Sequence, residues 1–264
     1  MDSYKNRLTE RQAAYAAVHL PSRKSAAEDY RLNILPEIRE RFAAWSDTAE
    51  PAIPSQEGFH RLDSSQAMAI NLLFPFMDES TARVDARILQ CLGLPPILQY
   101  EGAFQKVLDE REGTRFDFYL EEAGGQKIFF NLKLAETTFG SCENNAEHRQ
   151  IFDRECRTFL ADRIDAEWLR EETFWKHERI LRHVAYLGRH PDSGLVFIYP
   201  KANERLTESD NVIKRIVSKS LAPRVAILYL EPLLTRILKA TEGDAALHTH
   251  FVEFGEKYLI PQRP

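Results

Sequence analysis

The stretch FDFYLEEAGGQKIFFNLKLAE, residues 116–136, decides the fold because it has the pattern of two short strands joined by a glycine turn. Gly124 and Gly125 can supply the positive φ angles that a tight hairpin turn requires. Apolar residues dominate both flanks, as they do in strands at the centre of a sheet. The pattern therefore predicts an antiparallel hairpin inside a larger sheet.

Three polar side chains are expected to meet on this hairpin. Side chains two apart on a strand share a face, so Asn131 and Lys133 point the same way, and Asp117 on the pairing strand could meet them. Mg²⁺ takes oxygen ligands and often binds through one or two carboxylates. A nearby lysine can orient the attacking water and offset the charge of a phosphate. The trio therefore fits metal-assisted phosphodiester hydrolysis, with Asp117 as anchor ligand and Lys133 as charged helper.

The rest of the chain alternates helices and strands around the hairpin. Residues 62–77 predict a mostly buried helix, with Asp63 as N-cap and Gln66 completing a capping box. Residues 97–104 predict a strand that carries Glu101. Downstream, the pattern predicts a helix, a strand, a helix and a strand. These segments are residues 174–188, 194–200, 211–221 and 224–234. The order indicates an α/β domain with a mixed central sheet and flanking helices.

Residues 1–50 predict an N-terminal helical extension. The two helical patterns cover residues 4–18 and 25–45. Pro36 should kink the second helix or start a new one. Proline and glycine gather in residues 46–58, which indicates a linker. We therefore predict a helical extension over residues 1–50 and an α/β domain over residues 59–264.

Composition excludes several classes of protein. The 264 residues carry a formal net charge of −5, which gives no overall basic footprint, so any site for a polyanion must be local. The three cysteines show no CxxC spacing, which indicates neither a disulfide framework nor a zinc site. No run of about eighteen apolar residues suggests a membrane span, so a soluble cytoplasmic protein is expected. Residues 201–224 form the best local basic patch, although a solvated helix face explains it equally well.

The order of elements and the residues Asp117, Asn131, Leu132 and Lys133 resemble the PD-(D/E)XK nuclease superfamily, which has the restriction-endonuclease-like fold. The resemblance covers roughly residues 59–233 and includes the segments SSQAMAINLLFPF and LKLAETTFG. The family pattern is an aspartate on one strand, then an acid, any residue and a lysine on the next. Asn131 stands in the place of the acid. The resemblance implies DNA cleavage with Mg²⁺ or Mn²⁺, with Leu132 lending its backbone carbonyl to the metal.

Asn131 changes the electrostatics of such a site. An amide oxygen can still coordinate Mg²⁺, but one negative charge is gone, so attraction for the ion falls. Glu101 or Glu136 could compensate. Glu136 lies three residues beyond Lys133 and would need a bulge or a bend to turn inward. We therefore expect Glu101 to approach Asp117.

The sequence leaves several assignments and alternatives open. The candidate catalytic residues are Asp117, Lys133, Asn131, Glu101 and Gln66, and the candidate metal ligands are Asp117, Asn131, Glu101 and the carbonyl of Leu132. The missing acid at Asn131 favours an alternative, a catalytically inactive relative that binds nucleic acid or a protein partner. A structural module with a surface salt bridge between Asp117 and Lys133 is a third interpretation. Because restriction-type cleavage of both strands often uses a two-fold dimer, a homodimer is expected.

Overall fold

The computed structural model describes residues 3–20, 29–48, 58–96, 98–105, 114–217 and 220–261. Its strands are β1 (Tyr100–Phe104), β2 (Phe118–Glu122), β3 (Lys127–Leu132), β4 (Ser193–Tyr199) and β5 (Val225–Tyr229). They form one five-stranded sheet in the order β1-β2-β3-β4-β5. The first three strands pair antiparallel, whereas β3, β4 and β5 run parallel. The predicted α/β class and mixed sheet are confirmed.

Helices cover both faces of the sheet. The α-helices are α1 (Tyr4–His19), α2 (Pro36–Ser46), α3 (Ser65–Leu73), α4 (Ala86–Cys91), α5 (Ala146–Ile151), α6 (Glu171–Arg189), α7 (Glu204–Thr207), α8 (Ser209–Ile216), α9 (Leu230–Ala240) and α10 (Ala245–Tyr258). After α5 the chain continues through a π-helical segment, Phe152–Arg157, and a last α-helical turn, Thr158–Leu160. Short 3-10 helices occupy Tyr30–Asn33, Phe74–Phe76, Ala166–Leu169 and Ala222–Arg224. No described helix is long and apolar enough to cross a membrane.

Strand β3 shows why the sheet is covered on both faces. Phe130 and Leu132 join a core with α3, α9 and α10, whereas Phe129 joins a second core under α6. An apolar run of this kind is typical of a strand with both faces buried. By alternation, Asn131 and Lys133 lie on the α6 side of the sheet.

The hairpin turn follows the prediction with one correction. Gly125 has a φ of +91°, and its N–H donates to the carbonyl of Glu122 at 2.8 Å. Gly124 does not have a positive φ. Its N–H donates to the Glu122 carboxylate at 2.7 Å. The second glycine therefore supplies the left-handed conformation, and the first binds a side chain.

A β-bulge at Asp117 shapes the open end of the hairpin. Phe118 is registered opposite Phe130, and the Asp117 N–H also donates to the Phe130 carbonyl at 3.0 Å, so two residues face one. The extra residue explains why Phe116 and Tyr119, three apart, both join the core under α6. Bulges often occur beside active sites, where they redirect a side chain.

The N-terminal helices pack into the main core. Leu8 of α1 and Ile38 of α2 are fully buried in the core that contains α3 and α10. Helix α2 begins at Pro36, so the predicted break at this proline is confirmed. The predicted linker falls mainly in residues 49–57, and the start of the second helical pattern falls in residues 21–28, both outside the described residues. The division into two domains therefore stays a prediction.

Two local predictions need correction. Helix α3 is capped by Ser64, whose side chain accepts the Ala67 N–H at 3.2 Å, and not by Asp63. The predicted buried strand over residues 224–234 is shorter and less buried, because β5 is half-exposed throughout and α9 follows it at once. β5 is the outermost strand of the sheet and pairs with β4 on one side only, which explains the exposure.

Candidate active site

The candidate site lies at the edge of the sheet where the parallel strands end. Lys133 directly follows the last residue of β3, and the carboxyl ends of parallel strands open toward one edge. Asp117 enters β2 from this same edge. The N-terminus of α3 reaches it through Ser65, whose hydroxyl donates to the Glu136 carboxylate at 2.8 Å. Separate parts of the chain thus bring their polar groups to one place.

Two hydrogen bonds hold the Asp117 carboxylate. Its Oδ2 accepts the Leu132 N–H at 2.7 Å, and its Oδ1 accepts a side-chain N–H of Gln105 at 3.3 Å. Burial raises the pKa of the Asp117 carboxyl above its ordinary value. The positive charge of Lys133 opposes this change in pKa, and the negative charge of Glu136 adds to it. A partly buried carboxyl with a raised pKa beside a lysine is typical of functional sites.

Lys133 and Glu136 form an ion pair across a tight turn. The Lys133 Nζ lies 3.7 Å from the Glu136 Oε1, and the two side chains are 17% and 34% exposed. The other oxygen, Oε2, accepts the Leu134 N–H at 2.7 Å. Asn203 donates from its Nδ2 to the carbonyls of Leu134 and Glu136, both at 3.0 Å. These bonds fold residues 133–136 back, so that the Glu136 carboxylate faces the site.

The structure does not bring Glu101 to this site. Glu101 is exposed and is registered opposite Glu121. The residue that meets Asp117 is Gln105, whose N–H donates to the Asp117 carbonyl at 3.2 Å. Glu101 lies four residues earlier, or about 13 Å along a strand at about 3.3 Å per residue. The expectation that Glu101 approaches Asp117 is therefore wrong, and its assignment as a catalytic residue and metal ligand loses its basis. Glu136 is the acid at the site.

Asn131 is buried in β3, and its Oδ1 accepts no hydrogen bond from the described residues. A buried amide oxygen without a partner costs about 1–3 kcal/mol. Such an atom in a native fold calls for an unseen partner, such as a water or an ion. The Oδ1 atom of Asn131 is therefore a buried acceptor that remains available for a hydrogen bond or a cation.

The edge of the sheet offers a set of oxygen donors. The Leu132 N–H points toward Asp117, and the N–H and C=O of one strand residue point to the same side, so the Leu132 carbonyl is on the Asp117 side of β3 as well. No group of three His, Cys, Asp or Glu side chains that could hold a metal occurs in the described part of the chain. The available donors are therefore two carboxylates, one amide and one carbonyl. They belong to Asp117, Glu136, Asn131 and Leu132.

Gln66 is buried in the first turn of α3. It directly follows Ser65, whose hydroxyl bonds Glu136. This position places Gln66 at the end of α3 that approaches the site. Its contact with a substrate stays a prediction.

His183 of α6 packs over this face of the sheet. Its ring is fully buried and lies 4.7 Å from that of Phe116 between centroids. Burial, together with the positive charges of Arg179 and Lys133, holds the pKa of His183 well below its ordinary value. The imidazole is therefore neutral near pH 7, and neither of its nitrogens has a hydrogen-bond partner among the described residues.

Several residues of the site carried no sequence pattern of their own. They are Ser65, Gln105, His183 and Asn203. Each is a single polar residue whose position depends on tertiary contacts. Ser65 alone had an indirect signal, because it precedes Gln66 in a segment that the nuclease resemblance includes.

A cavity of about 550 Å³ opens beside Glu136. Its lining includes Lys5 of α1, His60 and Arg61 in the turn before α3, and Ser65. The cavity therefore connects the N-terminal helix to the candidate catalytic residues.

Comparison with known families agrees with this architecture. A family model described as Restriction Endonuclease associating with ARP matches residues 4–259. The chain belongs to this family. Membership in this restriction endonuclease family, together with the mixed sheet and its flanking helices, confirms the predicted restriction-endonuclease-like core. The family match begins at the first residue of α1, so the N-terminal helix is part of the matched region. No curated protein and no solved structure matches the chain.

Proposed function

We propose that this restriction endonuclease family member hydrolyses DNA phosphodiester bonds with a divalent metal ion. The proposed site is of the PD-(D/E)XK type, with Asn131 in place of the second acid and Glu136 supplying the missing charge. The observation that carries the proposal is the convergence of Asp117, Lys133 and Glu136 at one edge of the sheet, with Lys133 3.7 Å from Glu136. Metal-assisted hydrolysis needs such groups to hold the ion and to offset charge on the phosphate.

Glu136 restores the charge that Asn131 removes. Because Asn131 is neutral, the formal charges of Asp117 and Lys133 would cancel if Glu136 were absent. With Glu136, two carboxylates and one ammonium give the site one net negative charge, as the family pattern does. This charge attracts a divalent cation more strongly in a partly buried site than it would in water.

The donor set fits Mg²⁺ or Mn²⁺. Asp117 and Glu136 would hold the ion, with the amide oxygen of Asn131 and the carbonyl of Leu132 as neutral ligands. When bound, the ion polarises a phosphate oxygen and lowers the pKa of a water molecule. The buried, unpartnered Oδ1 of Asn131 supports this fit, because it is an acceptor that the described residues leave unused.

Asp117 and Lys133 have separate roles in the proposed reaction. Donors from Leu132 and Gln105 bond different oxygens of the Asp117 carboxylate, which fixes its orientation and leaves other lone pairs for a cation. Burial opposes ionisation of Asp117, and a nearby cation favours it. Lys133 carries three N–H donors. Glu136 orients its ammonium, and the remaining donors can bind a phosphate oxygen or the attacking water.

Gln66 is proposed as a substrate contact. It is buried at the end of α3 that reaches the site through Ser65. Gln66→Ala should therefore raise the substrate concentration needed for half-maximal cleavage more than it lowers the maximal rate. An equal loss in Gln66→Ala and in a variant of a distant α3 residue would indicate a structural role only.

The alternative is a catalytically inactive relative that binds nucleic acid or a protein partner. The observation that favours it is Asn131, which leaves the strand without the family's second acid. Such a protein would bind DNA and leave it uncut with every divalent metal.

Partners follow from the family description. The description names association with ARP, so we propose ARP as a binding partner, which co-elution of this chain with purified ARP would test. A homodimer is a separate prediction, since cleavage of both strands suits two-fold symmetry. Sedimentation velocity would measure it.

A plasmid nicking assay tests the proposed function. Supercoiled plasmid is incubated with the protein in Mg²⁺, in Mn²⁺ and in EDTA. Conversion to open-circular DNA in either metal, but not in EDTA, is expected. A folded, monodisperse preparation that nicks no plasmid with either metal would contradict the proposal, and DNA binding by the same preparation would then favour the alternative.

A further inference from the structure

The cavity beside Glu136 gathers positive and hydrogen-bonding groups from two distant parts of the chain. Lys5 comes from the first turn of α1, whereas His60, Arg61 and Ser65 come from the segment that leads into α3. An ammonium, a guanidinium, an imidazole and a hydroxyl thus line one open space of about 550 Å³. The ammonium, the guanidinium and the hydroxyl are groups that contact phosphate oxygens in protein–DNA interfaces.

The negative charges of the cavity are already paired. Asp63 accepts two hydrogen bonds from Arg61, at 2.9 and 2.8 Å. Glu136 pairs with Lys133 at 3.7 Å. Lys5 is exposed and forms no ion pair with a described residue. Lys5 is therefore the cation of this cavity that has no ion-pair partner among the described residues, while Asp63 fixes the orientation of the Arg61 guanidinium.

The cavity is continuous with the proposed catalytic residues. Ala135 and Glu136 form part of its wall, and the Glu136 carboxylate is the group that contacts Lys133. The N-terminus of α3 adds a favourable helix dipole at Ser65. An anion in the cavity would therefore lie next to a phosphodiester bound at Lys133.

We propose that this cavity binds backbone phosphates of DNA that flank the scissile bond, with Lys5 and Arg61 as the phosphate contacts. This inference rests on the proposed function, because it places the scissile phosphate at Lys133. It gives helix α1 a direct part in substrate binding. Contacts of this kind depend on charge and not on base sequence.

DNA binding at several salt concentrations tests the inference separately from catalysis. Binding is measured in EDTA, without divalent metal, so that the DNA stays intact and the Lys133–Glu136 pair is kept, and a fluorescein-labelled duplex is followed by anisotropy. Lys5→Ala and Arg61→Gln should each weaken binding and should reduce the slope of log K against log salt by about 0.9 per lost phosphate contact. Lys239→Ala is the matched control, because Lys239 is exposed at the end of α9 away from this edge of the sheet.

The outcomes separate the inference from the proposed function. Equal affinity and equal salt slope for Lys5→Ala, Arg61→Gln and Lys239→Ala would overturn the inference, as would no DNA binding by their common parent. Weaker binding in the first two variants supports it even if the wild-type protein nicks no plasmid. Inorganic phosphate should displace the duplex no better than chloride at equal ionic strength. Stronger displacement, lost in Lys5→Ala, would identify a free-phosphate site and contradict the DNA assignment.

Discussion

The ammonium of Lys133 lies 3.7 Å from the carboxylate of Glu136, three residues further along the chain. Lys133 directly follows β3, and the first residue of β3 belongs to a second pair, in which the Lys127 Nζ lies 3.7 Å from the Glu121 Oε1. The two pairs share residue types and distance, and both are partly exposed. Only the pair of Lys133 and Glu136 lies at the end of the sheet where the parallel strands finish. The second pair is therefore a matched control for the first.

Replacement of Glu136 should weaken metal binding. Glu136→Gln removes one of the two carboxylates, so affinity for Mn²⁺ should fall at least roughly tenfold, or about 1.4 kcal/mol. The loss of one acceptor toward Ser65 or Leu134 should lower the free energy of unfolding by about 0.5–1.5 kcal/mol. Isothermal titration with Mn²⁺ measures the affinity. Glu121→Gln should bind Mn²⁺ as the wild type does, and equal affinities for both variants would exclude Glu136 as a ligand.

Replacement of Asp117 should stabilise the metal-free protein. The folded-state pKa of Asp117 is raised by burial, so the folded state holds this proton more tightly than the unfolded state. The contribution of this carboxyl to the free energy of unfolding is fully present below the ordinary aspartate pKa. It is lost as pH rises toward the raised pKa, by up to about 1.4 kcal/mol for each pH unit. Because an amide does not ionise, the Asp117→Asn variant does not lose this stability as pH rises. It should melt at a higher temperature than the wild type near pH 7 and should abolish nicking.

The pH dependence provides the control for Asp117. The advantage of Asp117→Asn in melting temperature should shrink as pH falls, because the wild-type carboxyl becomes protonated. A difference in melting temperature that does not change with pH would mean that ionisation of Asp117 does not destabilise the folded protein.

A carboxylate at position 131 should tighten metal binding. Asn131→Asp keeps the size of the buried side chain and adds a charge near Asp117, so affinity for Mn²⁺ should rise on the order of tenfold. Without metal, the variant should melt below the wild type, since a buried carboxylate near other acids is destabilised. Added Mn²⁺ should reverse this loss by linkage. Equal Mn²⁺-induced shifts in melting temperature for both proteins would show that Asn131 does not face a metal site.

Lys257 should make the attachment of the N-terminal segment depend on pH. Its Nζ donates to the carbonyl and Oδ1 of Asn33, at 2.6 and 2.8 Å. Burial lowers the pKa of Lys257 from 10.5 to about 7, so the unfolded state binds more protons between these values. The free energy of unfolding should therefore rise with pH in this window, by up to about 1.4 kcal/mol per pH unit, and fall as pH approaches 7.

Denaturant melts at several pH values test this pH dependence. Lys257→Met removes the titrating group, so the stability of the wild type relative to this variant should increase from about pH 7 to about pH 9. Lys239→Met, at an exposed position, should leave the wild-type pH dependence unchanged. A constant difference between the wild type and Lys257→Met would contradict the lowered pKa of Lys257.

Short-range patterns predicted much of the fold. The hairpin of β2 and β3 follows from two apolar segments and a Gly-Gly turn, which are local signals. The start of α2 follows from Pro36, whose ring fits the first helical turn. The end of β5 was not predicted. Apolar residues resume at Leu233 after Glu231 and Pro232, and Pro232 lies in the first turn of α9, where a proline is tolerated.

The site was predicted only in part, because its acids are placed by tertiary contacts. Asp117 and Lys133 were recognised from spacing on the hairpin. Glu136 was recognised as a possible acid but ranked below Glu101, since the bonds from Asn203 that fold its turn inward join distant parts of the chain. The register of β1, which carries Glu101 away from the site, depends on its pairing with β2. No local signal in the sequence sets that register.

Lys133 and Lys127, at the two ends of β3, give the most direct test of the proposed nuclease site. Initial rates of plasmid nicking in Mg²⁺ and Mn²⁺ are compared for the wild type, Lys133→Ala and Lys127→Ala, with thermal melts to confirm folding. Both lysines are partly exposed, so each replacement should change the free energy of unfolding by only about 0–1 kcal/mol. Lys133→Ala should lower the nicking rate by roughly 10²-fold or more, whereas Lys127→Ala should nick at the wild-type rate. Nicking by Lys133→Ala at the rate of Lys127→Ala would contradict a catalytic site at Lys133.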